Sequence, residues 1–565
     1  MTDDGLYWER DDTHWPGRLS RWCAEIMVER YAQGIKELAA EHGWLIDGIA
    51  IKEIDNCVYF AVVPVGGKAR KAPPNFLVPL LLKLVPEMRR RIARLRDDNR
   101  SGYWEKAVDD WVAFRERELL EQAEALLSVE VDRLDDHQLA DLARGAVDHA
   151  GDCMKEHFHC HGAGIAAIST LGLELTRQHG FTTAEFAGLI TGLSDSTTGP
   201  AASQQAIVDA AAAADGLARL RAATDLDDVR AIGDTVAKAL DDYLATWGRR
   251  AIRYQVAYPT IGERPDWVLA ALKAQAERAG DAGERGRSHA VTRAATERRV
   301  LAALGDTPET RRRIAFAQKA APLREGNETA TVALPVAAAR RVGQEIGRRF
   351  AGRGALQHPD HVFDLTVDEA SAVLRGSADA PPDPGALAAE RNRERTTDRP
   401  EPPHSFGTPI PPPDLSAFPP DVAATMGALL WLVQKSQSGD SEADGDAAAL
   451  AARSVGGDAT GIGGSPGIYE GTVRVIRGED EFDKLRDGDV LVCPITSPIW
   501  SMLFPQVGAL VCDAGGPMSH PAIIAREFGV PAVLSTGSAT TTFADGERVR
   551  VDGDNGVVVR LRAGA

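Results

Sequence analysis

Apolar residues return at helical spacing through most of the first 374 positions. The runs 22–40, 106–127, 138–157, 206–223 and 227–247 each bring hydrophobic side chains back to one face every three or four residues, which predicts amphipathic helices. Only 48–65, with Ile-Lys-Glu-Ile and Val-Tyr-Phe-Ala-Val-Val, predicts paired strands. From 378 to 421 the periodicity gives way to proline and charge, as in Pro381-Pro-Asp-Pro384, Arg399-Pro-Glu-Pro-Pro403 and Pro411-Pro-Pro413, a composition that cannot build regular core elements. A short apolar helix, 422–434, then precedes a Ser/Gly/Asp/Ala-rich stretch, 436–460. About 25 flexible residues have a root-mean-square span of roughly 25–30 Å and stretch to about 80 Å, enough for the C-terminal region to travel. Beyond Gly461 short strands are predicted at 472–476, 490–493, 508–512, 548–551 and 557–561 around few helices. The expected organisation is a large, mainly α-helical domain (1–377), a linker with one short helix (378–460) and a small α/β domain (461–565). Gly461-Ile-Gly-Gly-Ser-Pro-Gly467 has no helix pattern after it, so it is expected to be the turn that opens the small domain rather than a phosphate-cradling loop.

Composition narrows the function classes. A length of 565 residues suits two to four domains, and 44% apolar with 26% charged residues is ordinary for globular proteins. The net charge of −18 repels nucleic-acid phosphates and anionic lipid, so neither is an expected partner. No export pattern marks the first residues, and the most apolar run, 76–85, is short and interrupted by Pro79 and Lys83, so a cytoplasmic location is expected. Six cysteines without a CxxC pair are expected to be reduced and buried.

The densest chemistry lies between Gly515 and Val533, where Gly515-Gly-Pro-Met-Ser-His520-Pro leads into Ile523, Ile524, Ala525 and Phe528 at helical spacing. Ser519 or His520 is therefore the N-cap, and Pro521 fits the first turn, where a missing N–H costs nothing. The unpaired amides and positive dipole end there favour an added anion and disfavour an imidazolium. A neutral His520 keeps a ring nitrogen for attack on phosphorus, and its phosphorylated form is held by the same amides. Asp513 and Thr496 surround His520 in sequence, Thr496 is a candidate for contact with this loop, and Ser519 either caps the helix or bonds the phosphate. Arg526 and Glu527, two turns on, are explained as well by a dipole effect or a salt bridge as by catalysis.

This segment resembles the phosphohistidine signature of the swivelling domain of PEP-utilising enzymes, shared by phosphoenolpyruvate synthase, pyruvate phosphate dikinase and rifampin phosphotransferase. The likeness continues through Gly463-Gly-Ser-Pro-Gly467, Gly471-Thr-Val-Arg-Val475, Asp487-Gly-Asp-Val-Leu-Val492, Thr496-Ser-Pro-Ile-Trp500, Asp545-Gly546 and Val551-Asp-Gly553, with Pro517-Met518 as a departure. It implies that His520 carries a phosphoryl group, with Gly515, Gly516, Ser519, Thr496 and Arg526 forming its surroundings. The helical region is similar to the acceptor-binding region of rifampin phosphotransferase and of the histidine-bearing subunit of phenylphosphate synthase, through Trp8, His14-Trp15, Arg264-Pro-Asp-Trp-Val-Leu269, Leu323-Arg-Glu-Gly-Asn327, Glu345-Ile-Gly-Arg-Arg349 and Val362-Phe-Asp-Leu-Thr-Val-Asp-Glu369. That likeness puts Arg324 and Glu325 at the transfer site, where relatives often have a basic residue shortly after and this chain has Glu328. A guanidinium holds two phosphoryl oxygens at once, and Glu325 is placed to take the acceptor proton.

A second cluster is Glu156-His157-Phe-His159-Cys-His161, after His149 and Cys153. Its alternating histidines cannot face one point on a helix and match no structural zinc spacing, so no metal is expected. These residues either line an acceptor pocket, with one histidine as general base, or pack between helices. No Gly-x-x-x-x-Gly-Lys loop or ATP-grasp motif is recognised, so ATP and Mg²⁺ are expected on a separate ATP-grasp subunit that charges His520 and releases AMP and phosphate, with no cofactor held tightly by this chain. The resemblance implies a phosphotransferase delivering to a small phenolic or alcoholic acceptor, phenol or an alkylphenol first; the alternatives are a rifamycin-type acceptor and a non-catalytic phosphocarrier.

Overall fold

The computed structural model describes residues 5–11, 15, 17–67, 75–251, 253–277, 282–397, 400, 402–409, 414–437, 458–496 and 498–561. The proline cluster 411–413 and most of the expected tether, 438–457, lie outside the described residues. The chain forms two compact units, Met1–Gly164 with Arg250–Thr260 and Asn327–Met426, and Ile165–Arg249 with Ile261–Gly326 and Gly427–Ala565. These limits differ from the compositional boundaries at 377 and 461, because the second unit joins helical segments to the C-terminal sheet.

In the first unit the expected hairpin is β2 (Ile46–Ile54) and β3 (Cys57–Pro64), turned by Asp55 and Asn56, both at positive φ (53° and 61°). Two positive-φ residues match the right-handed twist of the strands, and Asp and Asn tolerate that region better than most. Beside it lie β1 (Trp8–Arg10) and β4 (Ser405–Phe406), giving the order β2-β3-β1-β4. The helix Arg21–Glu41 starts where Ser20 accepts from the Cys23 amide, and buries Trp22, Ile26 and Met27 against Phe350 and Phe363. The expected helix at 106–127 is interrupted by a wide π turn at Trp111–Arg115. That at 138–157 begins at Asp136 and runs on to Gln178.

The second unit divides the expected helices 206–223 and 227–247 into shorter ones. Asp195–Ala213 is separated from Leu217–Ala222 at Asp215 (φ 52°), and Leu226–Arg230 from Asp234–Tyr243 at Gly233. Its sheet has eight strands: β5 (Ala459–Thr460), β6 (Ile462–Ser465), β7 (Ile468–Val475), β8 (Asp489–Cys493), β9 (Val507–Cys512), β10 (Ala532–Leu534), β11 (Arg548–Asp552) and β12 (Val557–Arg560). Their order is β5-β12-β11-β7-β8-β9-β10-β6, with β7, β8, β9 and β10 parallel to one another. Val473, Val490, Val492, Ala509, Val511, Val549 and Val551 fill the core beneath it. The 461–467 segment is not simply a turn: it contains β6, antiparallel to β10. A Cβ on Gly463 would stand 2.3 Å from the Gly553 carbonyl oxygen and one on Gly464 2.7 Å from Leu534, so these glycines let a neighbouring segment approach closely.

Parallel strands need a crossover, and between β9 and β10 it is the helix His520–Phe528. His520 therefore stands beyond the carboxyl end of β9. Thr496 stands beyond the carboxyl end of its neighbour β8, across from the register pair Cys493 and Cys512. Open α/β sheets place their ligands at this end of the strands. All six cysteines are buried thiols, and no described helix is long and apolar enough to cross a membrane.

Candidate phosphohistidine site

Ser519 occupies the N-cap position (φ −78°, ψ 163°) and Pro521 is in the first turn, so His520 opens the helix. The Ser519 side chain makes no cap, however. Its Oγ donates to the Gly516 carbonyl at 2.7 Å, and the Ser519 amide donates to the same oxygen at 3.0 Å, which closes the glycine loop into a tight turn. Gly515 has φ 106°, and a Cβ there would meet Ser519 Oγ at 2.8 Å. Only glycine adopts that conformation without strain. Gly516 serves through its carbonyl.

His520 is half-buried, and its Nδ1 lies 3.3 Å from Thr496 Oγ1. That contact orients the ring and distinguishes its nitrogens, since the hydrogen bond at one sets the electron pair at the other. Asp513 does not reach the histidine. It accepts from Thr536 Oγ1, the Thr540 amide and the Thr540 hydroxyl, bracing the loop against the short helix Ala539–Thr542.

Met518, two residues before His520, is 1% exposed and packs with Ile168, Leu171, Phe186, Ile314 and Ala317. Its carbonyl accepts from Arg324 Nη2 at 2.7 Å. The helix Pro308–Glu328 thus delivers a guanidinium to the backbone of the phosphohistidine loop, and the two predicted elements Arg324 and His520 are drawn together. The side chain of Glu325 lies outside the described residues, as does that of His161. Glu328 accepts from the Tyr254 hydroxyl.

Arg526 and Glu527 lie inside the protein rather than on an exposed helix end. Glu527, 5% exposed, accepts from the Gly192 amide at 2.6 Å, and His289 Nε2 donates to the Arg526 carbonyl at 3.1 Å. Burial pulls the Arg526 guanidinium down to about 10, against the opposing field of Glu527. Burial likewise lowers His289.

Glu156, His157 and His159 belong to the other compact unit. Glu156 accepts from Arg115 Nε at 2.9 Å, while His157, 4% exposed, has Nδ1 3.1 Å from Thr331 Oγ1. His149 approaches Cys153 Sγ at 3.5 Å through Nε2. Among the described residues no group of three or more His, Cys, Asp or Glu could hold a metal ion. The sequence offered no signal for Met518, His289 or the Gly192 amide, because each acts through a backbone or tertiary contact.

Residues 485–556 match the PEP-utilising enzyme mobile domain, and residues 157–325 match the rifampicin phosphotransferase fourth domain. The chain is 49% identical over 98 residues to the uncharacterised phosphotransferase YvkC of Bacillus subtilis (17% of this chain, 12% of that protein). It is 43% identical over 102 residues to rifampicin phosphotransferase of the same organism (18% and 12%). A longer match, 29% identical over 345 residues, is to chondramide synthase cmdD of Chondromyces crocatus (58% of this chain, 8% of that protein). Each of these matches spans about an eighth or less of the relative's own length.

Proposed function

Taking as premise that the C-terminal domain of this chain is a PEP-utilising enzyme mobile domain, we propose that the protein is a phosphotransferase component that carries a phosphoryl group on His520 and delivers it to a small hydroxyl acceptor. The observation that carries this reading is the convergence of the oriented His520 ring and the Arg324 guanidinium on one loop. With its proton on Nδ1, donated to Thr496 Oγ1, a neutral His520 keeps an electron pair on Nε2 for attack on phosphorus. In the return step the acceptor oxygen bonds to phosphorus, the P–N bond breaks, and its electron pair returns to Nε2. The hydroxyl proton goes to a nearby base, for which Glu325 is our candidate. Arg324 neutralises the phosphoryl oxygens in that step.

We assign the charging of His520 to a separate ATP-grasp subunit holding ATP and Mg²⁺, and the first acceptor class to phenols. The match of 157–325 with the rifampicin phosphotransferase fourth domain favours a second reading, a rifamycin-like hydroxyl. The acceptor step is tested by single turnover. Protein loaded on histidine with phosphoramidate, which releases ammonia, is mixed with a panel of phenols and rifamycins, and loss of phosphohistidine is followed. Arg324→Ala should load normally and discharge on the order of a hundred- to a thousandfold more slowly. Equal discharge by a folded Arg324→Ala would remove Arg324 from the site.

A further inference from the structure

A cavity of about 40 Å³ lies beside the His520 helix, in the same unit, with Arg526, Glu527, Arg324, Thr191, Ser194 and Ile523 in its wall. The side chain of Arg526 is the anomaly there. It is only 9% exposed, and its Nε and Nη2 are buried with no hydrogen-bond partner among the described residues. Arg312, Arg348 and Arg395 each fork onto one carboxylate. Among the described residues, the one side-chain charge acting on Arg526 is its sequence neighbour Glu527, one oxygen of which accepts from the Gly192 amide. A guanidinium buried without acceptors costs several kcal/mol in typical proteins, and such a group calls for a ligand.

We propose that this cavity is a binding site for free inorganic phosphate, gripped through the Nε and Nη2 edge of Arg526. Two adjacent N–H groups on one edge of a guanidinium match two oxygens of an oxyanion. The other polar groups of the wall are Glu527 beside Arg526, Arg324 on Pro308–Glu328, Thr191 after Thr183–Ala187, whose hydroxyl donates to the Ala187 carbonyl at 2.8 Å, and Ser194 at the start of Asp195–Ala213. Two guanidiniums in one wall, Arg526 and Arg324, suit a doubly charged oxyanion better than a singly charged carboxylate. Size excludes an organic acceptor, since pockets for such molecules run to about 300–1,000 Å³, whereas 40 Å³ has room for about three waters. Arg526 lies six residues beyond His520, about 9 Å along the helix axis, so the site is distinct from the histidine ring. A phosphate there ties the His520 helix to the Arg324 helix. The inference deepens the proposed function at the same helix, yet it needs no phosphorylation of His520.

The test is thermal and chemical denaturation of the full chain against inorganic phosphate, at ionic strength held constant with chloride, and with acetate as the carboxylate arm. Saturable stabilisation by phosphate is expected in wild type and equally in His520→Ala, so this result stands or falls apart from the phosphohistidine reading. Arg526→Met should weaken phosphate binding about ten- to hundredfold. Without phosphate it should be as stable as wild type or more so, because an unpaired buried charge has been removed. Arg526→Lys, which keeps the charge but not the two-pronged edge, should also bind more weakly and decides the matter if the methionine variant does not fold. Absence of a saturable phosphate effect in wild type, unchanged affinity in either variant that folds, or an equal effect of acetate would overturn the assignment.

Discussion

Thr496 Oγ1 stands 3.3 Å from His520 Nδ1, each residue just past the carboxyl end of one of two adjacent parallel strands. A sheet register thereby becomes a ring orientation. Thr496→Val keeps the shape and removes the hydroxyl. It should lower the rate at which phosphoramidate loads His520 by about five- to tenfold, the worth of one neutral hydrogen bond, while Thr496→Ser restores it. Loading at the wild-type rate in Thr496→Val would show that the contact does not orient the ring.

Gly515 is the residue on which the loop turns. At φ 106°, with Ser519 Oγ 2.8 Å and Pro521 Cγ 3.0 Å from the place of a Cβ, Gly515→Ala carries both backbone strain and a clash. It should cost about 1–3 kcal/mol of stability in urea denaturation and should slow phosphoramidate loading of His520. Gly516→Ala keeps the carbonyl that Ser519 uses, so its effect should be smaller.

The chemistry was legible where it is local. The glycine loop, the helix start at His520 and the strands around it follow from turn residues and from the change of hydrophobic period at 461. The contacts that complete the site join distant positions: Arg324 to Met518 is a separation of 194, and Gly192 to Glu527 one of 335. No periodicity encodes such a pairing. On sequence Arg526 and Glu527 are explained as well by a helix-end dipole effect or a salt bridge as by catalysis, and their burial comes from packing. β6 was hidden for a related reason. Its glycines are what close packing of neighbouring backbone requires, and on sequence they signal a turn.

His289 gives the fold a pH dependence near neutrality. Burial, partly offset by its bond to the Arg526 carbonyl, holds its folded pKa below 6.5. As pH falls through 6.5 the unfolded chain takes up the proton first, so stability declines from there until the lowered folded value is passed. His149 and His361 act in the same direction. Glu25 and Glu116, raised by burial, oppose it in the range just above 4.5. The difference between wild type and His289→Gln isolates the effect: urea titrations at pH 7.5 and 5.5 should show a smaller loss of stability in the variant. An equal loss would mean that His289 keeps its ordinary pKa.

The most direct measurement is the site of the phosphoryl group itself. Wild type and His520→Ala are incubated with phosphoramidate, and acid-labile, base-stable phosphate is quantified by ³¹P NMR and located by mass spectrometry under alkaline conditions. The account predicts that one position among the 13 histidines, His520, loads far faster than the rest, and that this fast component is absent from a folded His520→Ala. Labelling of that variant at the wild-type rate and extent would contradict it.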